Sequence, residues 1–271
     1  MNVNRRIFRT IVAVGLLTRA CLAEKLEVAL VVEHLVRSRL ESGAVPAKQR
    51  QAVLRNHFSE LGCTVEEQRV ERNAGNVICT LPGQTNSTII VGGHFDFAEH
   101  GSGIVDDWSG ASLLPSLYQA LKLLPRRHTY VFVAFAAEER GLVGSSRYVK
   151  SFTKDQKALV RAFVNIECLG LSPVKVWLSR ATPALVTRLD EIAAALAITL
   201  QAVNVEKVGD DDSHPFLSAH IPVITIHSLT QETLPILHSD RDQLNAIHFD
   251  DYYTAYKLIA YYLAYLDLKL E

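Results

Sequence analysis

The feature that most constrains this chain is the run Val131-Phe-Val-Ala-Phe-Ala-Ala137, closed by the adjacent acids Glu138 and Glu139. Seven apolar residues, β-branched and aromatic and without a polar interruption, read as a strand buried on both faces. Such a strand belongs inside a largely parallel sheet with helices packed on each side. Two carboxylates at its carboxyl end are costly to hold together unless a cation sits beside them. Open α/β sheets place their sites at that edge. Other ligand-type residues also stand where apolar runs stop: His94, with Asp96 two residues on, then Asp106, Glu167 and His238.

The rest of the chain alternates between the two periodicities. Helices are expected over Glu24–Arg39 and Ala47–Leu61, the second with Pro46 just before it and Gly62 as a stop. Thr64–Glu71 and Asn76–Leu81 read as a strand pair around Asn73-Ala74-Gly75. Further strands are expected at Thr88–Gly92, Tyr130–Ala137, Ala162–Ile166, Lys175–Ser179 and Val223–His227. Further helices are expected at Ser109–Leu124, Gly144–Phe152, Pro183–Leu196 and Phe249–Leu270. No repeat, low-complexity segment or linker divides the chain, so we read one α/β domain from about residue 24 to 271. A chain of 271 residues, 48% hydrophobic, is long enough to give that domain a full core.

The N-terminus has a different character. Arg5, Arg6 and Arg9 precede a short apolar stretch from Ile11 to Leu17, then Cys21-Leu22-Ala23. That order is the n-region, h-region and small-residue cleavage pattern of a secretory signal over residues 1–23, which implies a secreted or periplasmic protein. The apolar run is far too short for stable membrane insertion. Cleavage would remove four of the 28 basic residues and none of the 29 acids, leaving a formal charge of about −5. Nothing in that balance points to nucleic acid. Cys63, Cys79 and Cys168 would remain, an odd number that allows one disulfide and no framework. None has C-x-x-C spacing, which argues against a cysteine zinc site.

Taken singly, each acid or histidine has a plain structural reading: a hydrogen-bonded loop histidine, an N-capping aspartate at Asp106-Asp107-Trp108-Ser109, a solvated pair of glutamates. Taken together they suggest chemistry. Asp96 can hold the ring nitrogen of His94 that a metal does not take. A carboxylate ahead of a helix can bridge two cations while its neighbours cap. Of the pair Glu138 and Glu139, one can bind metal and the other take a proton from activated water. Two histidines and three acidic ligands, one of them bridging, make the stoichiometry of a two-zinc hydrolytic site.

The strings GGHFD (92–96), DDWSGA (106–111), FAAEERGLVGS (135–145), VNIE (164–167) and HSDRDQL (238–244) occur in the order of a known family. From about Asn76 onward the chain resembles the co-catalytic zinc aminopeptidases, which include bacterial leucyl aminopeptidases and relatives of glutamate carboxypeptidase. The resemblance implies a zinc exopeptidase fold: a single-domain three-layer sandwich with a mixed, roughly eight-stranded sheet flanked by helices. It implies two Zn2+ per chain, one held by His94, Asp106 and Glu167 and the other by Asp106, Glu139 and His238. Asp106 is taken as the bridge because it lies four residues before Gly110, as in the family. The resemblance also makes Asp96 the group that orients His94, and Glu138 the general base and then acid. The chain departs from the pattern twice. Glu167 stands where the family has the shorter Asp, and in DDSHPF (211–216) Ser213 stands where a His is usual.

The implied activity is exopeptidase hydrolysis of a peptide substrate through a two-metal activated water. Removal of N-terminal residues is expected, since a free α-amine suits an acidic site and no large insertion accompanies the domain. The loops Leu171–Val176 and Thr230–Leu237 are expected to shape specificity. A carboxypeptidase and a glutaminyl cyclase are the alternatives on the same fold, with a metal-free binding domain of the transferrin-receptor kind behind them. The sequence sets no oligomeric state.

Overall fold

Eight strands form one mixed sheet in the order β1-β2-β4-β3-β5-β8-β6-β7. The computed structural model describes residues 26–206 and 209–271, so the expected leader at 1–23 lies outside the described residues. The strands are β1 (Val65–Arg69), β2 (Gly75–Leu81), β3 (Thr88–His94), β4 (Thr129–Phe135), β5 (Val160–Ile166), β6 (Lys175–Val176), β7 (Gln201–Ala202) and β8 (Val223–His227). β4, β3, β5 and β8 run parallel in the centre, while β1 and β2 extend one side antiparallel. On the other side β6 joins β8 antiparallel and β7 joins β6 parallel.

The apolar runs explain the layers. Along β4, Tyr130, Phe132 and Ala134 belong to the larger core cluster, and Val133 and Phe135 to a second one on the other side. The larger core lies against α1 (Glu33–Glu41), α2 (Ala47–Glu60), α3 (Leu114–Leu121), α6 (Pro183–Ala195) and α8 (Phe249–Lys269). The second core includes Tyr148 and Val149 of α4 (Val143–Lys150) and Phe216 of α7 (Ser213–Ser218). The sequence did not announce α7 or α5 (Lys154–Leu159), although Thr153 and Gln156 close a capping box on α5.

Three expected elements are shorter than their periodicity suggested. Residues 26–32 are not helical, and α1 begins only at Glu33. The Val31 N–H donates to Tyr256 Oη (2.9 Å) and its carbonyl accepts from Tyr253 Oη (3.0 Å). Those backbone groups are therefore spent on α8 and cannot serve a helix. The expected helix Ser109–Leu124 is a turn at Ser109–Ala111 followed by α3, with Pro115 lacking an N–H in the first turn of α3. The strand expected at Lys175–Ser179 stops at Val176 and passes into a 3₁₀ turn at Leu178–Arg180. Among the described residues no helix is long and apolar enough to cross a membrane.

This topology fixes where a site must lie. β3 and β5 are neighbours, but the chain leaves β3 toward β4 and leaves β5 toward β8. A crevice opens outside their carboxyl ends, where the strand order reverses. His94 closes β3 and Glu167 follows β5 at that crevice.

Candidate active site

Each site residue is set by a strand end or by a turn laid on one. The turn carrying Asp106 and Asp107 sits close over β3 because Gly93 and Gly110 leave room. A Cβ on Gly93 would come within 2.8 Å of Asp107 Oδ2, and one on Gly110 within 2.5 Å of the Ile166 carbonyl oxygen. Asp107 is fully buried and acts as a hub for this turn. Its Oδ1 accepts from the N–H groups of Gly110 (3.0 Å) and Cys168 (2.9 Å), and its Oδ2 from the N–H of His94 (3.2 Å). The capping role expected of this acidic pair therefore belongs to Asp107, and Asp106 is free to face the crevice.

Asp106 stands between two imidazoles. Its Oδ1 lies 3.1 Å from His94 Nε2 and its Oδ2 lies 3.1 Å from His238 Nε2. His94 Nε2 is also 3.4 Å from Glu167 Oε1, and His238 Nε2 is 3.1 Å from Glu139 Oε2. Glu138 Oε2 approaches His94 Nε2 to 3.8 Å. Asp96 sits behind this group. Its carbonyl oxygen is the nearer partner of His94 Nδ1 (3.2 Å), with its carboxylate at 3.7 Å. The carboxylate instead accepts from the N–H groups of Glu138 (3.0 Å) and Glu139 (3.3 Å). Asp96 thus fixes the backbone of the glutamate pair as well as facing His94. All seven residues singled out from the sequence converge in one place.

The electrostatics describe a centre short of positive charge. Burial pushes Glu138 up to about 10, with Asp212, Glu167 and Asp106 reinforcing the shift and His94 opposing it. Burial and then Asp106 bring Glu139 up to about 7. Burial raises Glu167 as well. Burial alone would depress His94, but Glu138, Glu167 and Asp106 outweigh it and hold the ring well above its usual value. His238 rises to about 9 through its hydrogen bond to Asp106. Burial opposes ionisation of Asp106, yet the hydrogen bonds to His238 and His94 win and hold its carboxyl low. Glu139 Oε1 and both oxygens of Asp212 are buried without a hydrogen-bond partner. Unsatisfied buried acids crowded round two imidazoles fit a site that takes cations.

Sequence reasoning assigned no role to Asp242, Arg50 or Asp212. Asp242 lies four residues past His238, and its carboxylate accepts from the N–H groups of Val105 (2.7 Å) and Asp106 (3.3 Å). The buried Arg50 donates to the carbonyls of Gly43, Phe95, Ser102 and Gly103, gathering the loop between His94 and Asp106. Burial raises Asp212 to about 8. His214 pairs with Asp210 (3.3 Å) on the cavity wall. A basic residue holding several carbonyls, or an acid holding N–H groups far away in sequence, leaves no local motif to read.

A cavity of about 650 Å³ opens from this centre. Its apolar wall comes from Leu142, Val149, Trp177, Val205 and Leu229, and none of its lining residues lies in Leu171–Val176 or Thr230–Leu237, the loops expected to shape specificity. Four non-glycine residues around the site hold left-handed backbones: Ala137, Leu142, Cys168 and His238, with φ between 48° and 59°. Each costs about 1 kcal/mol or more and persists only where its surroundings impose it.

The family model for Peptidase family M28 matches residues 76–263, more than half of the chain. The chain belongs to peptidase family M28. A relative, the leupeptin-inactivating enzyme 1 of Streptomyces exfoliatus, is 30% identical over 152 residues. That match covers 55% of the M28 chain and 34% of the relative, so the chain spans only about a third of that protein's length. Among solved structures, the Legionella pneumophila LapA aminopeptidase superposes with a TM-score of 0.79 at 19% identity, over 93% of this chain and 75% of that one. The Fimbriiglobus ruber glutaminyl cyclase superposes with a TM-score of 0.69 at 19% identity, over 86% of this chain and 93% of that one. At such identities the two structures establish the fold, which is the α/β sandwich expected from the sequence.

Proposed function

We propose that this M28 chain is a zinc-dependent exopeptidase, and specifically an aminopeptidase that removes N-terminal residues from peptides. The observation that carries the reading is the shared use of Asp106. Its two oxygens face two imidazoles, and each imidazole faces one further carboxylate. Donors bonded to tetrahedral zinc at ~2.0–2.2 Å lie about 3.3 Å from one another. The histidine–carboxylate contacts here are 3.1 to 3.4 Å, close to that spacing, and donor atoms of His94, Asp106 and Glu139 gather within 4.8 Å of one another, which supports cations at this centre. His94, Asp106 and Glu167 would hold one, and Asp106, Glu139 and His238 the other.

Zinc, when bound, polarises a carbonyl and acidifies water near neutral pH. Glu138 is a carboxylate outside both proposed ligand sets, and the charge of bound ions would bring its carboxyl, high without them, back to the ionised form. It takes the proton of the attacking water at a carboxylate oxygen and returns it to the nitrogen of the leaving amine. Asp96 holds the Glu138 N–H, so the base is oriented from its own backbone. The surplus of carboxylates attracts the cationic α-amine of a peptide. The apolar wall of the cavity receives the side chain next to it, and with that large a space several residues are accepted.

Secretion belongs to the same proposal. Cys63 and Cys79 form a disulfide, which supports an oxidising compartment alongside the leader pattern at residues 1–23.

The test uses paired peptides, acetylated or free at the N-terminus and amidated or free at the C-terminus. Cleavage that needs the free amine supports the reading. Cleavage indifferent to acetylation but abolished by amidation replaces it with a carboxypeptidase. A second reading, glutaminyl cyclase, is kept by one observation: the chain spans 93% of the cyclase structure against 75% of the aminopeptidase. Cyclisation of N-terminal glutamine without peptide cleavage would select it.

A further inference from the structure

The cavity is larger than its acidic centre requires. At about 650 Å³ it lies in the range that buries a whole drug-sized ligand, so more than one residue of a peptide fits. Part of it is a groove between two helices. Ser146, Val149 and Lys150 line it from α4, and His214, Pro215 and Ser218 line it from α7. Each set has the spacing of one helix face, so two faces oppose each other across the groove. The two helices are locked together through Tyr148, Val149 and Phe216 of the second core, which fixes the groove walls.

The connection from β4 to β5 shows which way the groove runs. Both strands are parallel to β3, so the chain between them must return from the carboxyl edge of the sheet to the other. α4 starts at the carboxyl edge, just past Glu139, and Lys150 is its last residue. Leu142, which also lines the cavity, precedes Lys150 by eight residues, or ~12 Å of helix at ~1.5 Å per residue. An extended peptide at ~3.3 Å per residue covers that distance with about four residues.

Charge separates the two ends. The carboxylates gather at one, and the exposed Lys150 stands at the other. The acids on the wall are already engaged. Asp210 is met by Arg180 (2.7 Å) and His214 (3.3 Å), and Asp211 accepts from Asn165, Ser213 and Thr225. Among the described residues no ion pair engages Lys150. The stretch from Arg140 to Arg161 holds six basic residues and one acid, Asp155, so the field along α4 favours an anion.

We propose that the groove between α4 and α7 holds the downstream residues of the substrate, and that Lys150 binds the free α-carboxylate of a tri- or tetrapeptide. The inference rests on the aminopeptidase reading and adds a substrate class and a specificity-determining residue to it. A peptide of this length presents opposite charges at its two ends, the amine to the acidic centre and the carboxylate to the lysine. A dipeptide stops short of Lys150, and a long peptide carries its carboxylate past it.

The test measures kcat and KM for free-amine peptides from dipeptide to octapeptide, each as the free acid and as the C-terminal amide. Amidation should raise the KM of the tri- and tetrapeptide by about two- to fivefold at unchanged kcat, the yield of one exposed ion pair. The dipeptide and the octapeptide should show no such shift. Lys150→Ala should erase the shift, Lys150→Arg should keep it, and Lys150→Glu should reverse it so that the amide binds better. A shift of equal size at every length, or one that survives in Lys150→Ala, overturns the proposal. So does an amidated tetrapeptide ending in aspartate that binds as well as the free acid, because the groove would then read acidic side chains. Cleavage that needs the free amine but shows no effect of amidation overturns the groove assignment and leaves the aminopeptidase reading standing. Failure to cut any free-amine peptide overturns both.

Discussion

The two halves of the site are built differently. On one side His94 ends β3 and Glu167 follows β5, and the His94 side chain is only 1% exposed. On the other, His238 sits in a loop after a 3₁₀ turn, 50% exposed and left-handed at φ 53°. The first half is positioned by the central strands themselves. The second depends on a loop that is tied back by Asp242, whose carboxylate reaches the Val105 and Asp106 N–H groups. Sheet ends hold donors rigidly, whereas a tied loop holds them only as well as its ties. The buried half should therefore bind its ion tightly, and the exposed half should exchange.

The largest expected effect falls on the residue between the halves. Glu138→Gln removes the proton acceptor and leaves every proposed metal ligand in place. Turnover should fall by ~10²–10⁴-fold with metal content unchanged. Near-normal turnover in the metal-loaded variant would remove Glu138 from the mechanism and leave the comparison without its link.

Next come the two histidines. His238→Ala should lose one ion readily to a weak chelator and keep the other, while His94→Ala should damage the tight position. Affinity losses on the order of 10–100-fold accompany even the loss of supporting groups around a metal, so direct ligands should exceed that. If His94→Ala and His238→Ala release metal identically, the contrast between strand end and loop is wrong.

The smallest effect is on stability. In the metal-free protein Glu139 titrates near 7, Asp212 near 8 and His238 near 9, all raised above their ordinary values. A group raised on folding adds stability below its unfolded value and loses it as pH climbs through the folded one. The Tm of the metal-free protein should therefore fall between about pH 6.5 and 9, while zinc-loaded protein changes less. A metal-free Tm that rises across this window contradicts the charge picture.

The same contrast separates what could be read in the sequence from what could not. His94, Glu138, Glu139 and Glu167 stand at or just past the ends of apolar runs, so the rule that places sites at strand ends reaches them directly. His238 follows only the short run Leu234–Leu237, with no strand to announce it, so its role as a ligand leans on the resemblance. Asp107 and Asp242 act through backbone N–H groups 61 and 137 residues away, and pairings of that span have no periodicity. The cavity wall was also out of reach. Trp177 follows a strand of two residues, and Val205 lies just past another, so neither belongs to a recognisable element. At residues 26–32 the local pattern favoured a helix and lost to two tyrosines of α8, a tertiary override.

The most direct test of the account counts ions. Metal-free protein titrated with zinc, with elemental analysis after desalting, should take up two ions per chain. A tight phase should come first, and His238→Ala should abolish the weaker phase alone. Saturation at one ion or fewer, with the same curve for His238→Ala, would contradict the shared use of Asp106 on which the proposed function stands.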